Sequence, residues 1–316
     1  MKSAFGSVVR SYILASLIVG AFLGISLAVL ESPQVLADAA STAVDVGNAA
    51  PTVANVAITP NPIVLTENTS TTITITADIT DANGCGDVFT SGTLSAVLYR
   101  TGVSGTSSCS NNALNCYRNI TMADAGGTCT GGADTSGTAS GTIKVWYFAD
   151  ATDASSTFPS EWWAAYVLAT DESAATGNAT SSATVELNSL YALDVTASIN
   201  YGAVPANTDT GSTNQVATTT NTGNYNIDIE FSGTNMASGG DTLLASQQKY
   251  GTSSAAYASL THTLSTSPTA RNINVGRTTT STSQTASTTY WGIAVPGGQP
   301  TGSYTGSNTF TAIFGD

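Results

Sequence analysis

Between Thr71 and Thr80 the chain reads TTITITADIT, and Ile73, Ile75, Ala77 and Ile79 alternate with Thr72, Thr74, Thr76 and Asp78. One face of such a segment is apolar and the other is hydroxylated or acidic, which is the period of a half-buried β-strand. Short runs of this kind recur along the chain, separated by clusters of Gly, Asn, Asp and Ser. No segment sustains a helical period over three turns, so the expected class is all-β.

Two groups of strands follow from the spacing. The first holds Val53–Ile58, Ile63–Leu65, Thr71–Thr80, Thr93–Arg100, Tyr117–Met122, Thr142–Ala149, Trp162–Thr170 and Ser181–Leu187. The second holds Ala192–Tyr201, Gln215–Asn221, Asn226–Ser232, Ala258–Leu264, Asn272–Val275, Thr288–Val295 and Asn308–Phe314, with a helical turn expected within Leu243–Tyr250. Each group has roughly the seven strands of an immunoglobulin-like antiparallel β-sandwich. The expected domains are therefore 51–190 and 191–316, preceded by a polar, alanine-rich linker at 40–50. Pro60 and Pro62 fit a first strand that breaks and changes edge, because proline cannot donate to a central ladder.

The N-terminal 39 residues have a different character. Lys2 and Arg10 precede an apolar run from Ile13 to Leu30, and Ala37-Asp38-Ala39 offers small residues flanking a cleavage point. This order is that of a secretory signal peptide, the alternative being an uncleaved anchor helix. No second apolar span follows, and no anchor is expected at the FTAIFGD end.

Export agrees with the cysteines. All four, Cys85, Cys109, Cys116 and Cys129, lie in the first strand group and none belongs to a Cys-x-x-Cys pair. The single histidine, His262, is remote from them, so zinc ligation is not expected and two disulfides are. If consecutive strands alternate in direction, the loops after Thr80 and after Met122 share one end of the sandwich. Of the three pairings that four cysteines allow, Cys85 is then expected to pair with Cys129, and Cys109 with Cys116 at the opposite end. The larger of these loops would contribute about 4 kcal/mol by chain entropy.

The same polarity gathers oxygen ligands. Asp81, Asn83 and Asp87 surround Cys85, and Asp171 should emerge at the same end, which makes the four a candidate calcium site. The plainer alternative is that they are turn formers bonding their own backbone. Asp150 and Asp153 should lie at the other end. Among the aromatics, Trp162 and Trp163 point to opposite faces of one strand and cannot both enter one core. Trp162, Trp163 and Trp291 are candidate sugar-stacking residues, with core packing as the alternative.

The net charge of −13, from 21 acids and 8 bases, argues against nucleic acid and anionic lipid as partners. His262 alternates with Leu260 and Leu264 and has no evident nucleophile or acid, so catalysis is not expected. The stretches APTVANVAITP, ADITDANGCGDV, ADATDASSTFPSEWWAAYVLATDE, NTGNYNIDIEFSG and YWGIAVPGGQPTGSYTGSNTF resemble exported bacterial cell-surface proteins with tandem immunoglobulin-like domains, most without assigned activity. That resemblance implies a secreted or cell-surface structural or adhesion protein whose partners are other surface proteins or glycans. It carries over no catalytic residue. A carbohydrate-binding surface module is the alternative.

Overall fold

The computed structural model describes residues 40–130, 133–196 and 198–315. The expected signal peptide or anchor at 1–39 lies outside them. Among the described residues no helix is long and apolar enough to cross a membrane. Residues 40–47 belong to a unit of their own, are exposed and carry no regular secondary structure; a second compact unit begins at Asn48.

The second unit opens with β1 (Thr52–Thr59), β2 (Ser70–Thr80), a single helical turn α1 (Gly86–Phe89), β3 (Thr93–Arg100), β4 (Cys116–Thr121), β5 (Ala123–Asp124), β6 (Ser136–Trp146), β7 (Trp163–Thr170) and β8 (Thr176–Thr180). These strands form two antiparallel sheets of order β1-β2-β6-β5 and β4-β3-β7-β8. The order matches the immunoglobulin arrangement of an ABED sheet over a CFG sheet, with β4 as an added edge. Ile73, Ile75 and Ile79 of β2 meet Leu98, Trp163 and Val167 of the facing sheet in one core. Each of those isoleucines is fully buried, and each contributes about 1.5–3 kcal/mol.

The prolines act as expected. β1 stops at Thr59, and beyond Pro62 the chain changes partner: Ile63 forms a parallel bridge with Leu187. Three strands differ from expectation, the first being Ile63–Leu65, which makes only the isolated bridge at Ile63. β6 begins at Ser136 rather than Thr142, because its first half, SGTASG, pairs in unbroken register with β2. Its small residues admit the opposite sheet, and a Cβ on Gly141 would lie 2.7 Å from the Thr121 carbonyl. Ser181–Leu187 is not a continuous strand; it meets β7 at a single bridge between Trp163 and Val185, and the regular edge strand is β8.

The chain continues through β9 (Leu193–Val195), β10 (Thr208–Asp209), β11 (Gln215–Asn221), β12 (Ile227–Gly233), β13 (Met236–Ser238), β14 (Asp241–Leu243), β15 (Gln248–Gly251), β16 (His262–Thr263), β17 (Thr269–Val275), β18 (Ala286–Val295) and β19 (Asn308–Phe314). The sheet β16-β15-β18-β11-β9 faces the sheet β17-β12-β19. Their core is aromatic: Trp291 stacks on Tyr250 at 4.7 Å, and Phe231 lies 4.6 Å from Tyr250 and 4.9 Å from Phe310. Of the expected strand Ala192–Tyr201, Leu193–Val195 is a regular strand, and of Ala258–Leu264 only His262–Thr263 is, after a 3-10 turn at Tyr257–Ser259. The helical turn expected within Leu243–Tyr250 is a 3-10 turn at Ala245–Gln247 that passes directly into β15.

Candidate functional site

The two disulfides form as the strand polarity requires. Cys85 joins Cys129 with a Cα–Cα distance of 5.9 Å, and Cys109 joins Cys116 at 6.3 Å. Asp124 steadies the first bridge by accepting from the Thr128 hydroxyl and from the Thr128 and Cys129 N–H groups. The Thr128 hydroxyl is the main reason its carboxyl sits below the usual range.

At the Cys85 end, the carboxylate and amide groups serve a chain segment. Asn48 Nδ2 donates to Asp171 at 2.9 Å, and the Ala49 N–H donates to Asn83 Oδ1 at 2.7 Å. The other Asp171 oxygen accepts from the Ala175 N–H, and Asp81 Oδ1 accepts from the Asn83 N–H. Asp87 lies in the first turn of α1. Asp81 Oδ2 is buried without a hydrogen-bond partner. Among the described residues no three His, Cys, Asp or Glu side chains form a group that could hold a metal ion. Asn48 and Ala49 thus fasten the entry of β1 to this corner.

The opposite end meets the second pair of sheets, and there Asp150 is the hub. Its side chain is 2% exposed and accepts from Arg100 Nε at 3.0 Å and Arg277 Nη1 at 2.8 Å, with Asn115 Nδ2 at 3.3 Å. Arg100 also pairs with Glu161, and its guanidinium lies 3.6 Å over the Phe158 ring. Two guanidinium groups and two carboxylates therefore share one region, so no charge is left uncompensated. Trp163 Nε1 donates to the Asp150 carbonyl, and the Asp150 N–H donates to Leu114. Tyr117, buried nearby, has its phenol pushed well above the ordinary value, first by loss of water and further by the Asp150 charge.

Neutral hydrogen bonds complete the junction. Asn224 accepts from the Leu190 N–H at 2.7 Å and donates to the carbonyls of Ala149 and Asn188. Gln284 Nε2 donates to Asn68 at 2.8 Å and to the Tyr147 hydroxyl at 2.9 Å. The connecting residue Ser189 donates its N–H and its hydroxyl to Asp153. Gly223 follows a different logic from the turn geometry its NTGN context suggests. Its φ is not positive; glycine is needed because a Cβ would lie 2.0 Å from the Leu190 carbonyl.

The tryptophans divide as strand alternation demands. Trp163 and Trp291 are completely buried, with their indole N–H groups bonded to Asp150 and Thr289, so neither offers a face to a sugar. Trp162 is 39% exposed, and Trp146 is 37% exposed and stacks on Phe148. His262 lies 5.3 Å from the Tyr250 ring, and burial together with Arg271 lowers its basicity. The junction residues Arg100, Arg277 and Asn224 escape sequence reasoning, because Asp150 lies 50 and 127 positions from its two arginines. The available signal is the scarcity of bases: Arg100 closes an otherwise apolar strand and needs a buried acid.

No protein-family model matches the chain, and no curated protein matches it in sequence. Among solved structures, the secreted serine protease VesC from Vibrio cholerae aligns at 10% identity and a TM-score of 0.19, over 80% of this chain and 49% of that one. A trypsin-activated alpha-2-macroglobulin from Escherichia coli aligns at 10% identity and a TM-score of 0.24, over 83% of this chain and 18% of that one. The chain spans less than half the length of either protein.

Proposed function

We propose that this chain is an exported, non-enzymatic structural or adhesion component of the cell surface, in which two β-sandwiches are held as one stiff body. The observation that carries this reading is the junction around Asp150. A buried ion-pair hub and the Asn224 and Gln284 hydrogen bonds replace the loose linker that independently moving domains would have. The two disulfides suit an oxidising compartment, and the apolar N-terminal run supplies a route to it. Imaging cells that carry a labelled chain tests the proposal. Ordered filaments or a lattice at the exterior are expected, and a diffuse product in the medium would overturn it.

A carbohydrate-binding role is the second reading, favoured by the half-exposed ring of Trp162. On that reading a glycan array gives saturable binding that Trp162→Ala removes. Intact binding in the variant would leave the sugar contact without its residue.

A further inference from the structure

The two sandwiches repeat one plan in chain order, with one position filled in the first and open in the second. β9, β11, β12, β17, β18 and β19 take the places of β1, β2, β3, β4, β6 and β7 in the two sheets. In the first sandwich β8 lies beside β7 as the closing strand. Among the described residues no strand lies beside β19 on the side away from β12.

The open position is apolar. Phe310 and Ala312 point at the core but are only half-buried, as are Ile199 and Tyr201 across the gap. A groove of about 330 Å³ runs between Phe310 on one side and Ile199 and Tyr201 on the other, and an adjoining cavity of about 810 Å³ shares Ile199, Tyr201 and Met236 with it. The β19 sequence NTFTAIF contains none of the lysines, prolines or inward charges with which exposed sheet edges are normally blunted.

A further strand-like alternation precedes Asn48. Thr42–Val46, TAVDV, has the period of a half-buried strand, yet Val44 is 84% and Val46 is 81% exposed, more than any other large apolar residue described. Val44 and Val46 match the spacing of Phe310 and Ala312, with Asp45 on the outer face like Thr311. This segment leaves from Asn48, which is fastened at the end of the first sandwich far from the junction. Along β2, eleven residues separate that end from Ser70, which neighbours the junction, a span of about 35 Å. Val44 lies four positions from Asn48 and can reach no more than about 14 Å. A copy therefore cannot fill its own groove.

We infer that the groove beside β19 is a docking site for the Thr42–Val46 segment of a second copy, which adds as a strand along the open edge and seats Val44 and Val46 against Phe310 and Ala312. This deepens the structural reading of the preceding section and rests on it. Strand addition draws its strength from main-chain hydrogen bonds and its selectivity from alternate side chains. Because the segment is attached at Asn48, at the Cys85 end of the first sandwich, and the groove lies in the other sandwich, the contact is heterologous and does not close on itself, so it propagates as a linear polymer.

Cross-linking tests this in the exported form of the chain. All native cysteines are in disulfides, so Asp45→Cys and Thr311→Cys introduced together supply the only two thiols. A short bismaleimide, which tolerates a register shift, should give a ladder of dimers, trimers and higher species, while either single variant should stop at dimers. Adding Val44→Asp and Val46→Asp should abolish the ladder with an unchanged thermal midpoint, since both side chains lie in solvent. A ladder that survives those changes, a chain linked only within itself, or monomers alone would each overturn the inference. Ordered assemblies on cells without a ladder would leave the structural reading standing and remove this one; a ladder from a chain that is diffuse on cells would do the reverse.

Discussion

Asp150 stabilises the molecule because every partner is present, and the same fact makes it vulnerable. Truncating one member of a buried ion pair leaves the others desolvated and uncompensated, at a cost of about 3–5 kcal/mol. Asp150→Ala leaves Arg277 without its acid and Arg100 with Glu161 alone, so a loss of that size is expected in denaturant unfolding. Arg277→Gln leaves Asp150 paired with Arg100 and should cost less, about 1–3 kcal/mol. No loss on Arg277→Gln would mean that the hub is not shared between the sandwiches. At the Cys85 corner most of the oxygens are already engaged: both of Asp171, Oδ1 of Asn83 and Oδ1 of Asp81 accept from N–H groups, and no three acidic side chains converge there. Calcium requires six to eight oxygens. Thermal midpoints in calcium and in chelator should therefore coincide, and a rise with calcium would show that these ligands rearrange around the ion.

At the scale of elements, burial and connectivity decide which strands the sequence reveals. β2 and β3 begin and end within a residue of where apolar alternation does, because each buries one face of large apolar side chains, Ile73, Ile75 and Ile79 in one and Leu94 and Leu98 in the other. The first half of β6 and all of β8 give no such signal. Their residues are small or hydroxylated, and what places them is main-chain pairing to β2 and β7. Disulfide pairing was readable from strand polarity alone, whereas the junction depended on contacts between residues far apart in sequence. By the chain-entropy model, opening the long Cys85–Cys129 loop should cost about 4 kcal/mol and opening the short Cys109–Cys116 loop about 2.5 kcal/mol. Serine pairs at each bridge, compared by urea unfolding, test that order. Two phenols titrate with the fold as well. Tyr117 on β4 and Tyr201 in the segment after β9 are both raised above their ordinary 10.0, chiefly by burial. The folded state holds their protons longer than the unfolded chain, so this contribution is constant below about pH 10 and declines above it. Absorbance at the phenolate band should show these two ionising only as the protein unfolds; free titration near 10 would place them in water.

For the whole molecule, the junction sets how the two sandwiches respond to heat. Independently stable domains on a flexible linker melt separately, while bodies that share buried polar groups lose them together. Separating these sandwiches would expose Asp150 and Arg100 and break the Asn224 and Gln284 bonds at once. One calorimetric transition, with equal calorimetric and van't Hoff enthalpies, is therefore expected for the residues beyond Asn48. Gly223→Ala pushes a methyl group into the Leu190 carbonyl, and an overpacked contact of this kind costs about 1–3 kcal/mol. Because that cost falls on the junction and on neither core, the variant should split the single transition into two while leaving both disulfides formed. A single transition merely shifted to lower temperature would mean that the sandwiches are coupled through Asp150 strongly enough to survive loss of the turn. A filament built from such bodies would then bend where copies meet rather than within each copy.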